Sequence, residues 1–139
     1  MVGRNGLAWG KGIHVDTSDV LKKEGDGRAP AGVFLLGDAF GYEEQQGLGL
    51  SWPYRQSTDD DIWVDDVASR RYNQWVNLAQ TPVESSDWNS FEVMRRDDVL
   101  YRYGLIVNHN MSPIEKGLGS AIFMHIWRSN DTATAGCTA

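Results

Sequence analysis

The chain is poor in the residues that usually announce chemistry: it has one cysteine, three histidines and four prolines. A single cysteine excludes an intrachain disulfide, and three scattered histidines beside it do not make zinc-ligand spacing. No metal and no other cofactor is therefore expected. No apolar run approaches the roughly 18 residues that would suggest a membrane span, and Met1–Gly6 does not resemble a secretory leader. Positive charge is also scarce, with 13 Lys and Arg against 19 Asp and Glu, a formal net charge of -6. No basic stripe appears, which argues against nucleic acid as a partner. Arg70-Arg71 and Arg95-Arg96 are isolated doublets that read as solvated faces.

What is abundant points to a packed aromatic core. Six Trp, five Tyr and four Phe sit in a chain that is 41% hydrophobic, long enough for one domain without disulfides. Fifteen glycines and scarce helical periodicity predict a mostly β fold, a sandwich of mixed sheets with one or two short helices. Asn5-Gly6, Leu7–Trp9 and Ile13–Val15 suggest an opening hairpin, with His14 on a rim. Asp16–Lys23 suggests a helical turn capped by Thr17 or Ser18, and Ser85–Met94 a second, with Trp88, Phe91 and Met94 on one face. Strands are expected at Val33–Gly37, Ile62–Val64, Asp98–Asn110 and Gly119–Trp127, with Gly104–Val107 buried on both faces. Ala68–Val76 reads as a short helix or an ordered loop. His109 is expected to be structural or exposed. Thr58–Asp61 lacks the glycine and distal glutamate of a calcium loop and reads as a solvated turn. Glu24–Pro30 has the flavour of a phosphate loop but not its Gly-Lys-Ser/Thr ending.

The segment from Ala121 to Ala139 gathers the chemistry. An apolar run delivers His125, a polar loop comes next, and Gly136 precedes Cys137. A free thiol titrates at roughly 8.5 and needs a base to form thiolate near neutral pH. Cys137 is thus the candidate nucleophile and His125 its base. The competing reading is a buried, inert cysteine packed as a small hydrophobe. Gly136 is expected to let the backbone turn sharply, and the N–H groups of Gly136 and Cys137 are the natural oxyanion donors. Arg128 is a candidate anchor for a substrate carboxylate, or else a surface partner of Asp131. Trp127 and Thr134 complete the substrate-binding candidates.

Four stretches in order resemble the catalytic domain of L,D-transpeptidases (the YkuD/ErfK group). They are Lys22–Phe34 with its Ala29-Pro30-Ala31-Gly32 core, Trp63–Asp66 with Tyr72-Asn73, the His125 strand, and Thr134-Ala135-Gly136-Cys137. The resemblance covers about Arg4–Ala139. It departs from the usual Ser/Thr-His-Gly-Cys signature at Ala135, in the missing Arg or Asn after the cysteine, and in a short interval from His125 to Cys137. It implies a single domain over residues 1–139, continued at one or both ends, acting in the bacterial cell envelope on peptidoglycan stem peptides as donor and acceptor. It also implies that the carbonyl of Ile126 orients the imidazole, and that carbapenem-type β-lactams acylate the thiol. Trimming of wall peptides as a carboxypeptidase or amide hydrolase, and non-catalytic peptidoglycan binding, are the alternatives.

Overall fold

The three-dimensional structure is a computed structural model that describes residues 1–15, 20–82 and 86–139. Among these the chain is mostly β. In order it forms β1 (Leu7–Trp9), β2 (Ala29–Ala31), β3 (Leu36–Gly41), α1 (Gln45–Leu48), β4 (Tyr54–Gln56), β5 (Asp61–Val64), β6 (Gln74–Asn77), a 3-10 turn (Leu78–Gln80), β7 (Phe91–Val93), β8 (Tyr103–Val107) and β9 (Phe123–His125). A mixed sheet runs β4-β3-β8-β9, with β4 parallel to β3 and the other pairs antiparallel. An antiparallel sheet runs β6-β5-β7, and β1 pairs in parallel with β2.

Alternation along β5 explains how the sheets join. Every residue of this strand is buried, and successive side chains point to opposite faces. Ile62 and Val64 pack with Val76 in one cluster; Trp63 turns the other way, into a cluster with Phe40, Met94, Tyr101, Ile106 and Phe123. The Trp63 ring meets Phe123 edge-on at 5.0 Å, and Phe40 meets Phe123 at 5.2 Å, a favourable aromatic geometry. Phe123 therefore ties β9 to both sheets. His125 lies two residues on, on the same face of that strand, so the core that anchors Phe123 also fixes the imidazole.

Gly104 of β8 is required by this packing. A Cβ there would stand 2.6 Å from Phe40 Cε1. Gly104→Ala is expected to destabilise the fold by about 1–3 kcal/mol through overpacking. Urea unfolding would show this as a lower midpoint with an unchanged m value.

Beneath the loops lies a buried polar layer. Asn73, 1% exposed, accepts from Trp63 Nε1 and from the Ala121 N–H, and donates to the carbonyls of His109 and Asn110. Asn110 is fully buried and pins the 110–119 loop through Glu115 and the Gly119 carbonyl. Tyr72 and Ser120 both donate to Glu24 Oε2, and Asp26 accepts from Lys22 Nζ and the N–H groups of Lys23 and Arg28. Asp61 belongs to the same kind of network: its carboxylate takes Thr58, Trp75 and Asn77, so Asp61 faces inward while Thr58, Asp59 and Asp60 stay exposed, as expected of a solvated turn.

His109 is buried, with Nδ1 accepting the Lys11 N–H at 3.1 Å and Nε2 facing the Leu118 carbonyl at 2.8 Å. Burial pulls its pKa down from 6.5 to about 4. Between those values the unfolded chain binds the proton and the folded one does not, so stability falls as pH drops through this window. The contribution lost is roughly 3 kcal/mol at most, from the size of the shift. His109→Gln offers one acceptor and one donor without a titrating ring. Its thermal midpoint is expected to vary less than that of the parent protein between pH 6.5 and 4.

Several local expectations need correction. Ile13–Val15 forms no hairpin with β1: β1 pairs in parallel with β2, and the Ile13 N–H donates to the Val33 carbonyl instead. Residues 16–19 and 83–85 lie outside the described residues, with the Thr17, Ser18 and Ser85 caps proposed there. Downstream of both segments the chain is extended: Leu21 bridges to Trp9, and Phe91–Val93 is β7, with Met94 in the core but Phe91 44% exposed. The one α-helix among the described residues, α1, falls instead in the stretch read as irregular. The strand expected at Val33–Gly37 begins at Leu36, and those at Asp98–Asn110 and Gly119–Trp127 shorten to β8 and β9. Within β8 only Ile106 is buried, so that strand is not covered on both faces. Ala68–Asn73 takes the ordered-loop alternative, and from Gln74 the segment becomes β6.

Candidate active site

A cleft of about 450 Å³ opens between β7, the 96–101 turn, the end of β9 and the last loop. Cys137, His125, Arg128 and Thr134 line it, together with Glu92, Arg96 and Tyr101. Two segments 12 positions apart in sequence thus reach one surface because the last loop turns back onto β9: the Thr138 N–H donates to the Phe123 carbonyl, and the His125 N–H to the Thr138 carbonyl.

His125 is half-buried, with Nδ1 2.8 Å from the Ile126 carbonyl. A carbonyl can only accept, so Nδ1 carries the hydrogen and Nε2 keeps its lone pair in the neutral ring. Burial pulls the imidazole pKa below its ordinary value, against the Ile126 carbonyl; the Arg96 charge adds to the lowering. The ring edge packs on Tyr101 with centroids 5.3 Å apart. His125 is thus neutral near pH 7 with the nitrogen a base needs.

Cys137 is 7% exposed. Its sulfur lies between two backbone groups of one segment: Sγ donates to the Ala121 carbonyl at 3.3 Å and accepts from the Phe123 N–H at 3.4 Å. Burial, with the Glu92 charge, pushes the thiol up to about 12. Thiol and imidazole are therefore both neutral at rest; they share the cleft, but among the described residues no hydrogen bond joins Cys137 Sγ to His125. Such a thiol becomes nucleophilic only as its proton is removed.

The turn before the sulfur is held by Thr134, whose Oγ1 donates to the Cys137 carbonyl at 2.6 Å and whose own backbone pairs with Val2 and Arg4. Gly136 has no left-handed φ; its need is for space, since a Cβ would lie 3.3 Å from the Arg28 carbonyl. Among the described residues neither the Gly136 nor the Cys137 N–H donates a hydrogen bond. Cys137 lines the cleft, whereas Gly136 is buried and absent from its lining, so the two N–H groups are oxyanion candidates by their place in the chain.

At the rim Arg128 is exposed and 3.7 Å from Asp98, not paired with Asp131. Arg96 takes Asp98 bidentately and stacks over the Tyr101 ring, so it is part of the cleft wall rather than a solvated doublet. Trp127 is 53% exposed and lies outside the cleft lining. Glu92, hydrogen-bonded to the Tyr101 hydroxyl, is held above the usual carboxylate range by burial. Sequence reasoning missed Glu92, Tyr101 and Arg96, which reach the cleft only through the pairing of β7 with β5 and the return of the 96–101 turn. No group of three or more potential metal ligands occurs among the described residues, and no helix there is long and apolar enough to cross a membrane.

No family model, no curated protein and no solved structure matches this chain. What the geometry defines is a candidate thiol–imidazole site at the edge of a mixed β-sheet. The function has to be drawn from that site.

Proposed function

We propose that the chain is a cysteine-dependent acyltransferase of the L,D-transpeptidase kind, acting on peptidoglycan stem peptides in the bacterial cell envelope. The observation that carries this reading is His125, whose Nδ1–H is held by the Ile126 carbonyl and whose ring shares one cleft with Cys137. It is supported by the backbone N–H groups of Gly136 and Cys137, which donate no hydrogen bond among the described residues.

The chemistry is set by the protonation states. Cys137 Sγ attacks the carbonyl of an L-to-D peptide bond as His125 Nε2 takes the thiol proton; a C–S bond forms. The carbonyl oxygen gains charge beside the Gly136 and Cys137 N–H groups. The C–N bond then breaks, and His125 returns the proton to the departing amine. An amine from a second stem attacks the thioester, its proton passes to His125, and the thiol is regenerated as a new amide forms. To attack, the thiol must leave the Ala121 carbonyl, where its proton rests. Arg128, exposed at the rim, is suited to a stem-peptide carboxylate. Ala135 stands exposed in the turn where the family signature carries a second histidine, so the cycle is written with His125 as the one base.

The test is intact-protein mass spectrometry after incubation with a tetrapeptide stem and, separately, with a carbapenem. A single adduct on Cys137, then transfer to an added amine, supports the proposal. Release to water alone would make the protein a wall-peptide hydrolase. Wall binding with no adduct would leave a non-catalytic binding domain.

A further inference from the structure

The sulfur's environment is built by a residue far from it in sequence. Ala121 has φ +52°, a left-handed backbone that a residue with a Cβ adopts only under constraint. That conformation accompanies the placing of the Ala121 carbonyl and the Phe123 N–H on opposite duties at Cys137 Sγ. The constraint has a visible source: the Ala121 N–H donates to Asn73 Oδ1 at 3.1 Å. Asn73 is itself left-handed, with φ +58°, and fully committed: Trp63 Nε1 holds its oxygen, while the His109 and Asn110 carbonyls and Met111 Sδ hold its nitrogen. A carboxamide with each polar atom engaged cannot swing away from Ala121 without leaving buried groups unpaired.

We propose that Asn73 is a positioning residue for the nucleophile: it holds Ala121 left-handed, and the 121–123 segment thereby sets where the Cys137 sulfur sits and which acceptor its proton faces. This rests on the assignment of Cys137 as nucleophile, but the contact itself does not. Asn73 touches neither substrate nor sulfur. Its effect should therefore fall on the acylation step and leave substrate affinity alone.

The chain has one cysteine, so its S–H stretch is a single infrared band in a spectral window free of other protein absorption. Glycine suits φ +58°, so Asn73→Gly removes the side chain without straining the backbone. The expected result is that the S–H band, lowered in the parent protein by the Ala121 carbonyl, moves to higher wavenumber and broadens. Acylation of Cys137 should slow by roughly tenfold or more, as small misplacements of reacting groups do, with KM changed less than about twofold. A folded Asn73→Gly protein with the parent band and the parent acylation rate overturns the proposal. Should that variant not fold, an ester linkage between Ser120 and Ala121, installed by semisynthesis, deletes only the N–H that Asn73 accepts. An unmoved band there overturns the proposal equally, and a shifted one supports it. A parent protein that no donor acylates would end the enzymatic assignment, while the infrared band would still decide the role of Asn73.

Discussion

Cys137→Ala is expected to show no mass adduct with either a stem peptide or a carbapenem, with the fold retained. The first half comes from chemistry: the chain has one thiol, and nothing else in the cleft forms a thioester. The second half comes from packing. Cys137 sits in the cluster of Phe40, Trp63 and Phe123, and losing one buried sulfur should cost on the order of 1 kcal/mol, at the small end of large-to-small core changes. The polar consequences are limited. The Phe123 N–H loses a weak sulfur acceptor, while the Ala121 carbonyl loses a weak donor. Near-ultraviolet circular dichroism, sensitive to the Trp63 and Phe123 environment, would check that the core survives. The measurement separates two readings of this cysteine. An inert core thiol predicts no adduct on either protein, whereas an activated one predicts an adduct on the parent alone. Burial by itself does not decide between them, since 7% exposure suits both; the adduct does.

How much of this was legible in the sequence depends on the range over which each feature is specified. The mostly β class was, because glycine frequency and the lack of a 3.6-residue period are properties of composition. That His125 and Cys137 reach one cleft was also legible, since they lie in one short stretch; the Ile126 carbonyl beside the ring was named only through the family resemblance. Strand limits were not legible. Val33 is as apolar as Leu36, and only the pairing with Val107 starts β3 at Leu36. Phe91 and Met94 fit a helical stripe equally well, and it is registry with β5 that makes 91–93 a strand. Glu92 and Tyr101 gave no signal because their meaning comes from meeting each other at the cleft, one from β7 and the other from the turn before β8. Asn73 was visible only as part of a resembling stretch. Nothing in Tyr72-Asn73-Gln74 states that the carboxamide will accept a proton from a residue 48 positions away.

His125→Ala is expected to slow Cys137 acylation by about 10²–10⁴-fold, the usual worth of a positioned base. The pH profile of the parent protein tells what kind of base it is. With the imidazole pKa lowered by burial and the thiol raised to about 12, both partners are neutral through the physiological range. A general base works only unprotonated, so the rate should fall as pH drops through the lowered His125 pKa. That acid limb must lie below 6.5, the ordinary imidazole value. Above it the rate should run level through about pH 8 and beyond, because the thiol itself does not ionise there. A thiolate–imidazolium pair predicts the opposite sign for histidine: its activity would be lost as pH rises through the histidine pKa. Single-turnover acylation from about pH 5 to 9 distinguishes the two. In His125→Ala the level region should disappear, and the residual rate should climb about tenfold per pH unit as free thiolate becomes the only nucleophile. A level profile retained in that variant would remove His125 from the mechanism and pass the proton to Glu92, the remaining titratable carboxyl lining the cleft.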